Sequence, residues 1–134
     1  YSPIFPIGKI IDKGTYQEMS PEVIKAYDAP FPSRKYKAGA RMFPKLVPVS
    51  PHDEGVPEMK KAREVLGDWQ KPAIVLFSDK APIMRGAAPF FRELIPTSAN
   101  EPQITIKGGG HFLQEDCGEV IAGHIHEFIQ RHPA

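Results

Sequence analysis

The chain has 134 residues and a mass of 14.9 kDa, enough to close one core at most. Hydrophobic residues make up 41%, as in ordinary globular domains, and 17 Lys+Arg against 16 Asp+Glu leave a net charge of +1 that offers no field to gather nucleic acid or an anionic membrane. Cys117 is the single cysteine, so no internal disulfide can form, and no apolar run approaches the roughly 20 residues of a bilayer span; a reduced, cytoplasmic setting is expected.

Nine of the 15 prolines fall in residues 1–57, so the chain divides into a proline-rich first part and a more regular second part. It opens at Tyr1 without an initiator Met, a basic stretch or an apolar leader, which reads as a piece of something longer. The clearest early element is Ser20 to Tyr27: Ser20 can cap a helix, Pro21 suits its first position, Glu22 favours its positive end, and Val23, Ile24 and Tyr27 share a face. Asp28-Ala29-Pro30-Phe31-Pro32 must leave that helix, because residues before proline are pushed towards extended geometry. A second short helix is expected over Tyr36–Phe43, and Pro44, Pro48, Pro51 and Pro57 read as a surface connection.

Beyond it, Met59–Val65 reads as helical, and Ala73–Phe77 is an uninterrupted apolar run of the kind found in a strand buried on both faces. A loop at Ser78–Gly86 follows, then a helix at Ala87–Leu94 with Phe90, Phe91 and Leu94 inward, and a second strand at Gln103–Ile106. The closing helix, Gly118–Arg131, carries Val120, Ile121, Ile125, Phe128 and Ile129 in one stripe. Strand, helix, strand, helix is the rhythm of an open α/β sheet, here with two parallel strands and flanking helices. Two parallel strands make no stable sheet alone. The remaining strands are expected from an N-terminal segment or a partner chain, and the 134 residues alone should aggregate or recruit such a partner.

The strongest site signal is Lys107-Gly108-Gly109-Gly110-His111-Phe112, a glycine run after a strand that ends in histidine. In open α/β sheets, sites lie outside the carboxyl ends of strands, where His111 would serve as a general base; the plainer reading is a flexible turn with an incidental histidine. The loop after the first strand offers one carboxylate, Asp79, either an acid partner for the histidine or, with Lys80, the solvated tip of a turn. Gly67-Asp68-Trp69 has the residue order of a nucleophile elbow, yet it precedes the apolar strand instead of following one, and Gln70 stands where a small residue is needed. His124 and His126 fall on different helical faces, which is wrong for a metal pair, so no metal is assigned. Glu115 and Asp116 beside Cys117 would raise its thiol pKa and argue against a nucleophilic role.

At these motifs the sequence resembles the haloalkane dehalogenases of the α/β-hydrolase superfamily. Tyr27-Asp28-Ala29-Pro30-Phe31-Pro32, Tyr36-Lys37-Ala38-Gly39-Ala40-Arg41 and Phe43-Pro44-Lys45-Leu46-Val47-Pro48 are similar to the end of that family's helical cap. Phe77-Ser78-Asp79-Lys80, Gly110-His111-Phe112-Leu113-Gln114-Glu115 and the last helix are similar to the end of its core. The likeness runs from about Ser20 to Ile129. It implies the C-terminal part of an α/β-hydrolase fold, with residues 1–50 ending the cap and 51–134 ending the core.

The resemblance also implies removal of halide from a small apolar halogenated substrate by water, without cofactor. An aspartate displaces the halide to give an ester, and a histidine, matched by His111, activates the water that hydrolyses it. Phe43, Pro44 and Val47 match cap positions that line the pocket, with Pro82 and Ile83 as further substrate-binding positions. The nucleophile, the oxyanion-hole residues and the accompanying tryptophan are expected upstream of Tyr1. The family's acid loop reads Ser-Asp-Lys-Asp-Pro-Ile, and its second aspartate, the catalytic acid, is replaced here by Ala81. Asp79 is then a substitute acid through a loop shift, or the acid comes from an earlier strand. A non-catalytic binding module that has lost its acid, and an epoxide-hydrolase or luciferase-like enzyme, are the competing expectations.

Overall fold

The computed structural model describes residues 5–133; the outermost residues of both expected spans, among them Tyr1, lie outside the described residues. Six helices and one small sheet follow in chain order: α1 (Ile7–Gly14), α2 (Pro21–Asp28), α3 (Ala38–Leu46), α4 (Val56–Gly67), β1 (Phe77–Ser78), α5 (Ala87–Leu94), β2 (Thr105–Ile106) and α6 (Leu113–Arg131). Short 3₁₀ turns at Arg34–Lys37, Pro82–Met84 and Pro96–Asn100 join them.

The local signals hold where they are strongest. Ser20 caps α2 by accepting from Val23 N at 3.4 Å, with Pro21 in the first turn. α5 covers Ala87–Leu94 as expected and starts after Gly86, but Phe90, expected inward with Phe91 and Leu94, is 42% exposed, because the helix turns only the Phe91 side towards Phe77. Three expectations are corrected. The helix expected over Tyr36–Phe43 is a 3₁₀ turn followed by α3, which carries Pro44 in its last turn instead of ending before it. α4 starts at Val56, so Pro57 opens a helix instead of extending the connection, consistent with proline's tolerance of the first turn. α6 begins at Leu113, five residues earlier than expected, and bends at Cys117, whose φ of −139° and ψ of 31° are not helical. α1 has no counterpart among the expected elements; α1 and α2 form a helical hairpin tied by Gly8 N donating to Asp28 Oδ1 at 3.0 Å.

β1 and β2 pair in parallel, Phe77 opposite Thr105 and Ser78 opposite Ile106. The ladder is shorter than the strands expected at Ala73–Phe77 and Gln103–Ile106, because each strand meets one partner only, and a strand without a neighbour forms no further pairs. The expected burial on both faces narrows accordingly: Val75 is buried, while Ala73, Ile74, Leu76 and Phe77 are half-buried.

α5 lies over this sheet through Phe91, whose ring stacks on Phe77 at 6.0 Å, and Phe90 meets Phe91 edge-on at 5.1 Å. A polar knot closes the far corner. Buried Glu101 takes Arg131 Nη2 at 2.7 Å and His132 Nε2 at 2.5 Å, binding the approach to β2 to the end of α6.

Among the described residues only Ile7, Val75, Ala81 and Ile106 are buried hydrophobics of the core. The chain exposes 9906 Å², whereas a folded monomer of its mass is expected to expose about 7,000 Å². Of the apolar stripe expected inward on α6, Ile121 and Phe128 are half-buried, whereas Val120 is 54% exposed, Ile125 43% and Ile129 59%. No helix among the described residues is long and apolar enough to cross a membrane.

Candidate active site

The parallel ladder delivers two loops side by side at the carboxyl ends of β1 and β2, the general location of sites in open α/β sheets. Backbone bonds continue past the strands. Asp79 N donates to Ile106 O and Lys80 N to Gly109 O, both at 3.1 Å, and Ser78 Oγ donates to Gly110 O at 2.8 Å. The loop carrying Asp79 and Ala81 is thereby strapped to the glycine loop that carries His111.

His111 is exposed, its ring meeting Phe112 edge-on at 5.0 Å. Its position is set through the backbone: His111 N and Phe112 N both donate to Gly14 O, at 2.6 and 3.2 Å. Gly108, at φ +76°, makes the turn that a side chain would strain. Gly110 is required for a different reason. A Cβ there would sit 2.6 Å from Gly14 O and 2.7 Å from both Thr15 C and Tyr16 N, backbone atoms that cannot swing away. Among the described residues no carboxylate is hydrogen-bonded to the His111 ring.

The sequence left two readings of Asp79 open, and the geometry gives its carboxylate a definite task. Oδ1 accepts from Gly108 N at 2.9 Å, and Oδ2 lies 3.8 Å from both Lys80 Nζ and Lys107 Nζ. Among the described residues no hydrogen bond joins this carboxylate to His111.

Ala81 is buried and lines a cavity of about 470 Å³ together with Tyr16, Phe77, Asp79, Pro82 and Arg85 among others; His111 is not part of that lining. Pro82 therefore borders this cavity, while Ile83 is 78% exposed. Phe43 and Val47, on and just after α3, are 74% and 60% exposed, and Pro44 beside them is exposed as well. These residues, expected to line a pocket, are not enclosed around His111, because no described element covers that side of α3.

Sequence reasoning passed over the two acidic residues that follow the histidine loop. Asp116 accepts three backbone N–H groups, from Gly110 at 2.7 Å and Tyr16 at 2.8 Å on Oδ2, and from Gln17 at 2.9 Å on Oδ1. Partial burial pulls its pKa upward, but the three donors together outweigh burial and hold the carboxyl below its ordinary value. Glu115 accepts from the Tyr27 hydroxyl on α2; that bond, then burial and the Glu115 charge, raise the Tyr27 pKa. The adjacent acids were read only for their effect on Cys117, whose Sγ instead donates to Lys107 O at 3.4 Å. Nothing local marks Asp116, since its partners Tyr16 and Gln17 lie 100 and 99 residues away.

No family model matches the chain. It is 44% identical over 125 residues to a haloalkane dehalogenase of Mycolicibacterium paratuberculosis, covering 93% of this chain and 41% of that protein. It is also 44% identical over 131 residues to a haloalkane dehalogenase of Psychrobacter cryohalolentis, covering 98% of this chain and 43% of the relative. Among solved structures, the tetrameric haloalkane dehalogenase DpaA of Paraglaciecola agarilytica superposes with a TM-score of 0.75 at 25% identity, over 93% of this chain and 42% of that one. The chain thus spans about two fifths of the length of the proteins it matches.

Proposed function

We propose that this chain, which is related along its length to the haloalkane dehalogenases and carries the C-terminal portion of their α/β-hydrolase fold, supplies the water-activating half of a hydrolase for carbon–halogen bonds. The observation that supports this reading best is the likeness to dehalogenases combined with a histidine loop and an acid loop strapped together at the ends of paired parallel strands.

The reaction runs in two displacements. A carboxylate of an aspartate, on a segment N-terminal to these residues, attacks the carbon bearing the halogen; a C–O bond forms as the C–X bond breaks, and halide leaves with the bonding pair. Water then adds to the ester carbonyl while His111 Nε2 or Nδ1 takes its proton. The acyl–oxygen bond breaks, the alcohol departs, and the carboxylate is restored. Phe43, Pro44 and Val47 supply apolar cover for the substrate once the rest of the cap stands over them, with Pro82 lining the cavity beside the acid loop and Ile83 exposed next to it. The roughly 2,900 Å² of surface beyond that of a closed monomer supports a sheet completed by an N-terminal segment or a partner chain.

One observation favours a second reading. Ala81 leaves the histidine without the carboxylate that fixes its tautomer, which is how a non-catalytic relative would look. Halide release from 1,2-dibromoethane, 1-bromobutane and 1-chlorobutane by the longest form of the protein separates the two. In the Ala81→Asp variant we expect release to rise by about 10²-fold or more, by analogy with the loss that follows removal of a triad acid, and His111→Ala to abolish it. Equal release with and without Ala81→Asp assigns the acid to Asp79 or to an earlier strand. Silence of both overturns the hydrolase reading in favour of a binding module.

A further inference from the structure

We propose that Asp116 is the positioning residue of the histidine loop, pinning His111 to the segment that follows α1. This rests on the reading of His111 as the base. The argument begins with where His111 is held. Its ring has no carboxylate partner among the described residues, and Ala81 supplies none, so the direction of the imidazole depends on how firmly the backbone beneath it is fixed.

That backbone is gripped on both sides by one short segment. On the C-terminal side, His111 N and Phe112 N reach Gly14 O. On the N-terminal side, Gly110 N reaches Asp116 Oδ2, and the same oxygen takes Tyr16 N, so a single atom joins the histidine loop to the segment after α1. Gln17 N on Oδ1 completes the latch. Gly110 packs so closely on Gly14 and Thr15 that the two strands of backbone share no room for a side chain.

Charge and count both matter in this arrangement. An ionised carboxylate offers about four acceptor sites and no donor, so it can serve three N–H groups at once, and hydrogen bonds to a charged acceptor are roughly twice as strong as neutral ones. The isosteric Asp116→Asn change presents an NH₂ group to at least one of these N–H donors, so it must break part of the latch without changing shape or helix position. Asp116 thereby couples the helical hairpin α1–α2 to the orientation of His111, although among the described residues neither is hydrogen-bonded to the ring.

The test uses the longest form of the protein and four forms of it: wild type, Asp116→Asn, Asp116→Glu and His111→Ala, with 1-bromobutane as substrate and amide hydrogen exchange as the second readout. In Asp116→Asn, exchange at Gly110, Tyr16 and Gln17 is expected to quicken about tenfold or more. Over the same change kcat falls by about 10²-fold, as for a modest misplacement of a reacting group, while KM stays within about twofold. Asp116→Glu, which keeps the charge, restores part of both and carries the test if the Asn variant does not fold. Unchanged exchange at the three amides overturns the latch. Faster exchange with kcat unchanged, in a protein that His111→Ala inactivates, overturns the positioning role while leaving the proposed function standing. Equal halide release by wild type and His111→Ala overturns the proposed function, and with it any role of Asp116 in serving that base.

Discussion

Two regions of this molecule are built in opposite ways. The corner where the histidine loop meets α1 and α2 is closed by polar contacts that are nearly all backbone to carboxylate or backbone to backbone, with the backbone N–H groups of Gly110, His111, Phe112, Tyr16 and Gln17 all accepted within the chain. The long outer faces of α3 and α6 are the reverse, with Phe43, Val120 and Ile129 more than half exposed and nothing described against them. The difference teaches that a polar network is complete once its few donors and acceptors meet, even from segments about a hundred residues apart, whereas an apolar face needs a whole further element laid against it. Burial, not hydrogen bonding, is what these residues lack.

The largest test of the closed corner is Gly110→Ala. The added Cβ meets three backbone atoms at 2.6–2.7 Å. We expect a loss of about 3 kcal/mol, the upper part of the range for overpacking, read as a lower denaturant midpoint, together with loss of any His111-dependent halide release. A midpoint unchanged within error would mean that the corner is loose and the latch illusory.

The open face is tested by Ile125→Lys. In the 134-residue chain, where Ile125 is 43% exposed, the change should alter stability by less than about 0.5 kcal/mol and reduce self-association by light scattering. In a longer form whose remaining strands and helices cover α6, the same change should cost about 1.5–3 kcal/mol of lost burial and charge desolvation. Equal effects in both forms would show that α6 stays open in the whole protein.

Acid should discriminate the regions more gently. Glu101 is held below its ordinary value by the Arg131 and then the His132 hydrogen bonds, against the opposing effect of burial, and Asp116 is likewise depressed. A folded-state pKa lower than the unfolded one means that the unfolded chain binds more protons on acidification. The stabilisation is therefore fully present above the ordinary values of 4.5 for Glu101 and 3.8 for Asp116, and fades as pH falls through the depressed ones. Stability followed by urea unfolding should be flat from neutrality to about pH 5 and fall below it, and Glu101→Gln should flatten that fall while lowering neutral stability by about 1 kcal/mol. A fall unaffected by Glu101→Gln would assign acid sensitivity to other carboxylates.

Much of this was legible beforehand wherever the determinant is local. Ser20 and Pro21 announce α2 because capping involves residues two or three positions apart, and α5 stands where the apolar spacing places a helix, with Phe91 and Leu94 half-buried though Phe90 is not. The glycine run before His111 announces a tight loop at a strand end, because Gly108 adopts a positive φ within that loop itself. α1, unlike α2, has no side-chain cap at its start, so the helical spacing of Ile7, Ile10 and Ile11 is its main local signal.

The chain by itself therefore determined the order of its elements from α2 onward, its likeness to haloalkane dehalogenases, and the place of His111 after a parallel strand. Only the tertiary structure decided that Asp79 is engaged with Gly108, that Asp116 carries the joint between the histidine loop and the first hairpin, and that Val120, Ile125 and Ile129 on α6 lie exposed. The reason is one of range. Caps, turns and periodicity are properties of neighbouring residues, while the partner of a carboxylate or the cover of an apolar face is chosen by segments a hundred residues away in sequence or beyond.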